Sequence, residues 1–311
     1  MNRNIGIDFF RIVAAFFVIC IHAPFIIWGT NPIYKCAVPF FCLITGYYLK
    51  IDNDSTIFLK KITVHIKTLL VAVIVYSIFT LSEGQNIEMP NLLNLLLFNS
   101  FGFINAPHLW YLLALIISLS IIQLFNCCRL SKLVYLFAPL IIISPLGKYN
   151  IYPFSALISK FDANWMLTTM PYISLGLIIK KIYINIGGGG NKRFISVCLI
   201  FSTVSLILSL VESKYFGEVL SEKSAFYLGT PLYTIGLFLF LLTLNIPHTP
   251  RIVSTADFCK KSSLQIYVWH FLLISILKRY SLYDSLQPFI AIYVFAFLVV
   301  ILAITDKLKQ M

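Results

Sequence analysis

Charge is what this sequence has least of: aspartate, glutamate, lysine and arginine together make up 12% of its residues, against 59% that are hydrophobic. A soluble domain typically carries about twice that charged fraction, so a water-exposed globular fold is excluded for most of the chain. Acidic residues are scarcer still, 12 against 24 lysines and arginines. The resulting net charge of +12 does not describe a nucleic-acid surface, because the basic residues stand in short runs between apolar segments and form no continuous basic domain. No nucleic-acid partner is expected. The seven cysteines are odd in number and lack the spacing of a disulfide framework or a metal site; Cys20, Cys42 and Cys198 lie inside apolar runs, where a thiol serves as a small hydrophobe. No metal is expected. Low-complexity sequence is confined to Gly187–Gly190. It lacks the Lys-Ser/Thr pair and the preceding strand of a phosphate-binding loop, and reads as a flexible connector. No internal repeat is visible.

What the sequence has in abundance is apolar runs, with a mean hydropathy of +0.88. A bilayer core about 30 Å thick needs roughly 20 apolar residues per spanning helix, so a chain of 311 residues has room for about ten spans and no soluble catalytic domain. Apolar windows fall near 7–28, 34–49, 64–81, 108–126, 133–146, 165–179, 194–211, 226–244, 263–280 and 287–304, the fifth being the weakest. The first runs into Asn31-Pro32 without a small-residue cleavage pattern, so it is expected to remain as a span. Threaded from a cytoplasmic start, sixteen of the 24 basic residues fall on the inner side, seven on the outer side, and Arg11 stays inside a span. That asymmetry is the positive-inside bias. The expectation is an all-α, polytopic membrane protein with about ten transmembrane helices, a single domain over 1–311 in contact with membrane lipids. It is placed in a bacterial cytoplasmic (inner) membrane with both termini and the Gly187–Gly190 loop in the cytoplasm.

Against this background, polar groups at membrane depth stand out. Asp8, Arg11 and His22 all fall in the first span, where each charge costs about 2.5–3.5 kcal/mol on insertion scales. Eleven residues at 100° each bring His22 to within about 20° of the face of Arg11, roughly 16 Å further along the axis. Asp8 precedes Arg11 by one turn on the same stripe. The competing reading has Asp8 and Arg11 snorkelling to the headgroups as a salt bridge, with His22 bonded to a neighbouring helix. His108, opening the fourth span in Pro107-His108-Leu109-Trp110-Tyr111, is a further station or an interfacial histidine in an aromatic belt. His270 lies in the ninth span with Tyr267 one turn earlier on its face. Glu212, at the outer end of the seventh span, is a possible partner of His22 or a solvated loop carboxylate.

Arg11, ten residues, His22, then Pro39-Phe40-Phe41 to Thr45-Gly46-Tyr47, His108-Leu109-Trp110-Tyr111 and Ile266-Tyr267-Val268-Trp269-His270 together resemble the acyltransferase-3 family of integral membrane O-acyltransferases. The resemblance runs over most of the chain. It implies transfer of an acyl group, usually acetyl from acetyl-coenzyme A, onto hydroxyls of a surface polysaccharide such as O-antigen, capsule or exopolysaccharide, or its lipid-linked precursor. Under it, His22 is the candidate base, and Arg11 and Asp8, further along the same face, complete the candidate catalytic set. Arg11, Lys60 and Lys61 would hold the anionic acyl-CoA. His108, Tyr267, His270 and Glu212 would meet the acceptor. Family members often carry an arginine pair where this chain has Lys60-Lys61, and lysine lacks arginine's bidentate fork. The same segments are similar to the membrane half of membrane-bound serine racemases, whose pyridoxal-dependent half has no counterpart in this sequence. Two other classes remain open: a polysaccharide or amino-acid transporter, since intramembrane Asp, Arg and His also build transport paths, and a non-catalytic membrane subunit serving a separate racemase.

Overall fold

The computed structural model describes residues 3–23, 31–50, 55–146, 158, 161, 163–185, 192–215 and 226–308, and among them every regular element is helical. The Gly187–Gly190 connector, Glu218, Glu222 and the last three residues lie outside the described residues. The α-helices of seven or more residues are α1 (Ile5–His22), α2 (Ala37–Tyr48), α3 (Ser55–Ser82), α4 (Leu92–Phe98), α5 (Trp110–Cys127), α6 (Met170–Asn185), α7 (Lys192–Tyr215), α8 (Gly229–Thr243), α9 (Pro250–Arg279) and α10 (Ile290–Leu308). A 3₁₀ segment, Ser131–Ile142, lies between α5 and α6. Each of the ten apolar windows coincides with a helical element, and α4 is an additional short helix that the windows omit.

Among the described residues, five stretches are long and apolar enough to cross a bilayer: Ile5–His22, Phe58–Ser82, Pro107–Cys127, Arg193–Tyr215 and Ile290–Leu308. The exposed apolar rows on α3, such as Leu70, Ile74 and Ile78, would be unfavourable in water and are what a lipid-facing helix presents. The weakest window is the 3₁₀ segment with Pro139 inside it. At about 2.0 Å rise per residue, its 12 residues reach about 24 Å, where an α-helix of that length would reach about 18 Å. A proline that cannot donate to an α-helical ladder sits more easily in such a stretched element.

The chain divides into two compact units, one of Met1–Phe41, Gly188–Tyr215 and Gly229–Met311 and one of Cys42–Gly187 and Phe216–Leu228. In the first, α1 packs on α9, α10 packs on both, and α7 packs on α8. Asn4 begins α1 by accepting from the Ile7 amide at 3.0 Å, while its own amide donates to the Leu242 carbonyl at 3.0 Å. One side chain thereby caps α1 and ties it to the end of α8. The α7–α8 seam is built on small residues, with Gly236 so close that an added Cβ would stand 2.9 Å from Ser202 Cα.

In the second unit, α3 packs on α5, and α6 packs on the 3₁₀ segment. A π-helical turn, Trp165–Thr169, leads into α6 and is capped by Asn164, whose oxygen accepts from the Met166 and Leu167 amides. Thr169 of that turn shares a hydrogen bond of 2.6 Å with Ser118 of α5. Near the far end of α6, Lys180 Nζ donates to the Leu49 carbonyl at 2.7 Å. Gly46 of α2 and Gly176 of α6 each face main-chain atoms of the other helix, where an added Cβ would not fit.

Candidate functional site

The polar groups of α1 sit near its two ends, and α9 answers at both. At the beginning, Asp8 is 3% exposed and takes Arg3 Nε on Oδ2 at 2.6 Å and Arg11 Nε on Oδ1 at 3.4 Å. Arg3 reaches on to Asp257 Oδ1 of α9 at 2.8 Å. The spacing of Asp8 and Arg11 by three residues makes the local pair almost unavoidable in a helix, whereas Arg3 and Asp257 complete the cluster through the fold alone. A buried carboxylate between two guanidiniums is compensated. The sequence reading found Asp8 and Arg11 and missed Arg3 and Asp257; Arg3 lies before the first apolar window, and Asp257 near the start of a helix that is polar there.

At the other end, His22 closes α1 and stands against His270 of α9, ring centroids 5.3 Å apart and planes inclined by 39°. Phe271 meets His22 in a T-shaped contact, ring centroids 5.3 Å apart. His270 is fully buried, and its Nδ1 lies 2.7 Å from the Tyr267 carbonyl oxygen. A carbonyl only accepts, so this nitrogen carries the proton and Nε2 of the neutral ring carries the lone pair. The Tyr267 and His270 rings lie 6.1 Å apart.

Thus Asp8 is linked through Arg3 to residue 257 and His22 touches residue 270, intervals of similar length in the same direction. Helices α1 and α9 are therefore parallel and in register.

The remaining sequence candidates distribute as follows. Glu212 is 4% exposed on α7, which packs on α8 and on the turn Asn31–Tyr34. The reading of Glu212 as a solvated loop carboxylate is corrected: helix α7 continues to Tyr215 and carries the residue into the packed interior. Lys60 and Lys61 lie exposed near the beginning of α3, in the second unit. His108 belongs to the same unit, in the 3₁₀ turn Pro107–Leu109; it is 2% exposed, with its ring 5.1 Å from that of Tyr76 of α3. It packs against a helix, beside an aromatic ring.

Comparison with known proteins adds the following. The model of a family described as an acyltransferase domain matches residues 4–305. A serine/alanine racemase of Enterococcus gallinarum is 29% identical over 280 residues, a match covering 79% of this chain and 38% of that protein. An amino-acid racemase of Enterococcus faecalis is 28% identical over 342 aligned positions, covering 99% of this chain and 47% of that protein. The chain thus spans less than half the length of these curated relatives. No solved structure matches it.

Proposed function

The chain belongs to the acyltransferase-3 family, whose model covers residues 4–305, and on that premise we propose that it is a membrane O-acyltransferase moving an acyl group, acetyl from acetyl-coenzyme A, onto a hydroxyl of a surface polysaccharide or its lipid-linked precursor. The observation that carries this reading is the division of labour along α1, with a guanidinium clamped by Asp8 near one end and paired imidazoles at the other. The acyl donor is anionic and cytoplasmic, so its phosphates suit cationic side chains, with Arg11 a candidate in one unit and the exposed Lys60 and Lys61 separate candidates in the other. The acceptor hydroxyl approaches His22. Its proton passes to an unprotonated ring nitrogen as the oxygen bonds to the thioester carbonyl carbon; the carbon–sulfur bond then breaks, and the departing thiolate takes the proton. An imidazole can take up and give back a proton at the same ring nitrogen, as both transfers require.

The direct test is the structure of the surface polysaccharide in a strain deleted for this chain, by NMR before and after mild alkali. Acetyl ester signals present in the parent and absent from the deletion strain are expected; an unchanged glycan would overturn the reading. The names of the two relatives favour a second one, a membrane subunit serving an amino-acid racemase. In that case the glycan is intact, and the deletion strain instead loses racemised serine or alanine from its cell wall.

Two further results are expected. Phosphatase fusions at Met311 and within Gly187–Gly190 are inactive and fusions after Tyr215 active, because sixteen of the basic residues then lie on the cytoplasmic side; an active fusion at Met311 would reverse the orientation. Replacing Lys60 and Lys61 together by alanine raises KM for acetyl-CoA about tenfold, since removing charge-assisted phosphate contacts worth about 1–2 kcal/mol weakens donor binding. The apolar face of α3 is untouched by this change, so the amount of inserted protein stays constant. An unchanged KM at that expression level removes these lysines from the donor site.

A further inference from the structure

We infer that α4 is a membrane-docking helix: it lies in the headgroup layer, and lipid acyl chains cover the face formed by Leu92, Leu93, Leu96 and Leu97. A helix of 7 residues is too short to persist in water on its own propensity, and none of its residues is buried in the protein. Its polar backbone is nevertheless closed at the end where water would otherwise be needed. The carbonyls of Asn94 and Leu95 accept from Ser100 N at 3.2 Å and Asn99 N at 3.1 Å. Those of Leu96 and Leu97 accept from Trp165 Nε1 at 2.9 Å and Asn164 Nδ2 at 3.0 Å. These are the four carbonyls that a helix leaves open at its C-terminus. Asn91 Oδ1 takes the Leu93 and Asn94 amides at the other end. A backbone closed in this way can leave water for a layer that offers few hydrogen bonds. At 100° per residue Leu92, Leu96, Leu93 and Leu97 cover an arc of about 140°, and all four are exposed. On the opposite side Phe98 meets Phe161, ring centroids 5.1 Å apart.

The place of α4 in the chain identifies what covers that arc. It lies in the connection between Phe58–Ser82 and Pro107–Cys127, both long and apolar enough to cross a bilayer. Asn105 N donates to Thr80 Oγ1 at 3.3 Å, and the His108 and Tyr76 rings are 5.1 Å apart. The end of α3 is therefore level with the beginning of α5, and the connection stays at one membrane surface. The exposed apolar row of α3 runs up to Leu81, where the connection starts. Trp165, whose indole holds Leu96, and Trp110, which opens α5, are of the residue type that membrane interfaces favour. The charged residues of the connection are Glu83 and Glu88, without a lysine or arginine, so docking rests on apolar area and needs no anionic lipid.

The test places one nitroxide at a time in the full chain, reconstituted in phosphatidylcholine nanodiscs, with Cys127→Ala and Cys128→Ala removing the two exposed thiols. Leu93→Cys and Leu97→Cys report on the α4 face, Leu70→Cys of α3 on the hydrocarbon, and Glu88→Cys on water. Collision with oxygen relative to a water-soluble nickel chelate gives the depth of each label. The labels at Leu93 and Leu97 are expected about 5–10 Å into the headgroup and acyl boundary, shallower than the label at Leu70. Nickel collisions at the Glu88 level would return α4 to water, and shielding from both reagents would mean that protein, such as a second copy of the chain, covers it; either result overturns the inference. A second measurement uses the wild-type protein and so does not depend on the folding of any variant. Phosphatidylcholine carrying a diazirine near the top of its acyl chain is photolysed, and the adducts are mapped by peptide mass spectrometry. Adducts within Leu92–Phe98 are expected, whereas adducts on α3 with none on α4 would overturn the docking.

Discussion

His22→Ala is expected to reduce acyl transfer by about 10²–10⁴-fold, the contribution of a positioned general base, while the protein remains inserted in normal amount. His22 is the last residue of α1, and its loss removes ring contacts with His270 and Phe271 without breaking the packing of α1 on α9. Alanine is the strongest helix former, so the helix end persists. The quantity to measure is alkali-labile acetate on purified glycan, normalised to the abundance of the variant in the membrane fraction. Retention of most of the acetate would place the base elsewhere, with His108 next to be tested. Disappearance of the protein would make His22 a helix-packing residue. Arg11→Ala is expected to be at least as damaging to transfer, and it too should leave an inserted protein, because Arg3 still holds Asp8 at 2.6 Å and no buried carboxylate is left without a cation.

The reason this site was partly legible in the sequence is that lipid makes polar residues conspicuous. Asp8, Arg11 and His22 are visible because a helix at 1.5 Å per residue fixes their spacing before any tertiary contact is known, and the unbroken helix Ile5–His22 preserves it. His270 was visible for the same reason, but only as an isolated candidate; its meeting with His22 depends on α9 lying parallel to α1, and no local pattern encodes that. Glu212 shows the opposite failure. A glutamate followed by Ser213 and Lys214 reads as the start of a polar loop, yet the helix runs on to Tyr215 and the packing of α7 decides its burial. Arg3 and Asp257 sit in polar sequence, where an ion pair leaves no mark.

The fold was more legible than the site for a similar reason. Hydropathy reports where the chain enters lipid, and every window acquired a helix, including the stretch at 133–146 that became 3₁₀. Helix α4 was missed because it has 7 residues, too few to span. Its leucines, such as Leu92 at 67% exposed, are suited to lying at an interface, and Asn91 and Asn99 close its two ends. What hydropathy cannot report is which helices touch. That information resides in small residues, whose value is the atom they lack.

Gly46→Val is therefore expected to remove the protein from the membrane fraction, the largest stability effect of any single change considered. A Cβ at Gly46 would overlap the Ile173 carbonyl oxygen of α6 and stand 2.8 Å from its carbonyl carbon and 3.0 Å from Ile173 Cα. A Cβ at Gly176 would overlap the Leu43 carbonyl oxygen and stand 2.8 Å from Tyr47 N and 3.0 Å from Gly46 Cα. The obstacles are main-chain atoms on both sides, so no rotamer change relieves the contact and the helices must part. Overpacking in a tight core costs about 1–3 kcal/mol even where side chains can move; here α2 and α6 would also lose the close approach on which membrane helices depend for association. Gly46→Ala and Gly176→Ala should each lower the unfolding temperature in detergent, and together should prevent accumulation. Gly102→Ala is the control, since the nearest atom to its Cβ would be Ser100 Oγ at an ordinary 3.7 Å. A Gly46→Val protein that inserts and unfolds at the wild-type temperature would mean that α2 and α6 do not cross at these glycines. The Thr45-Gly46-Tyr47 signature would then need a reason other than packing.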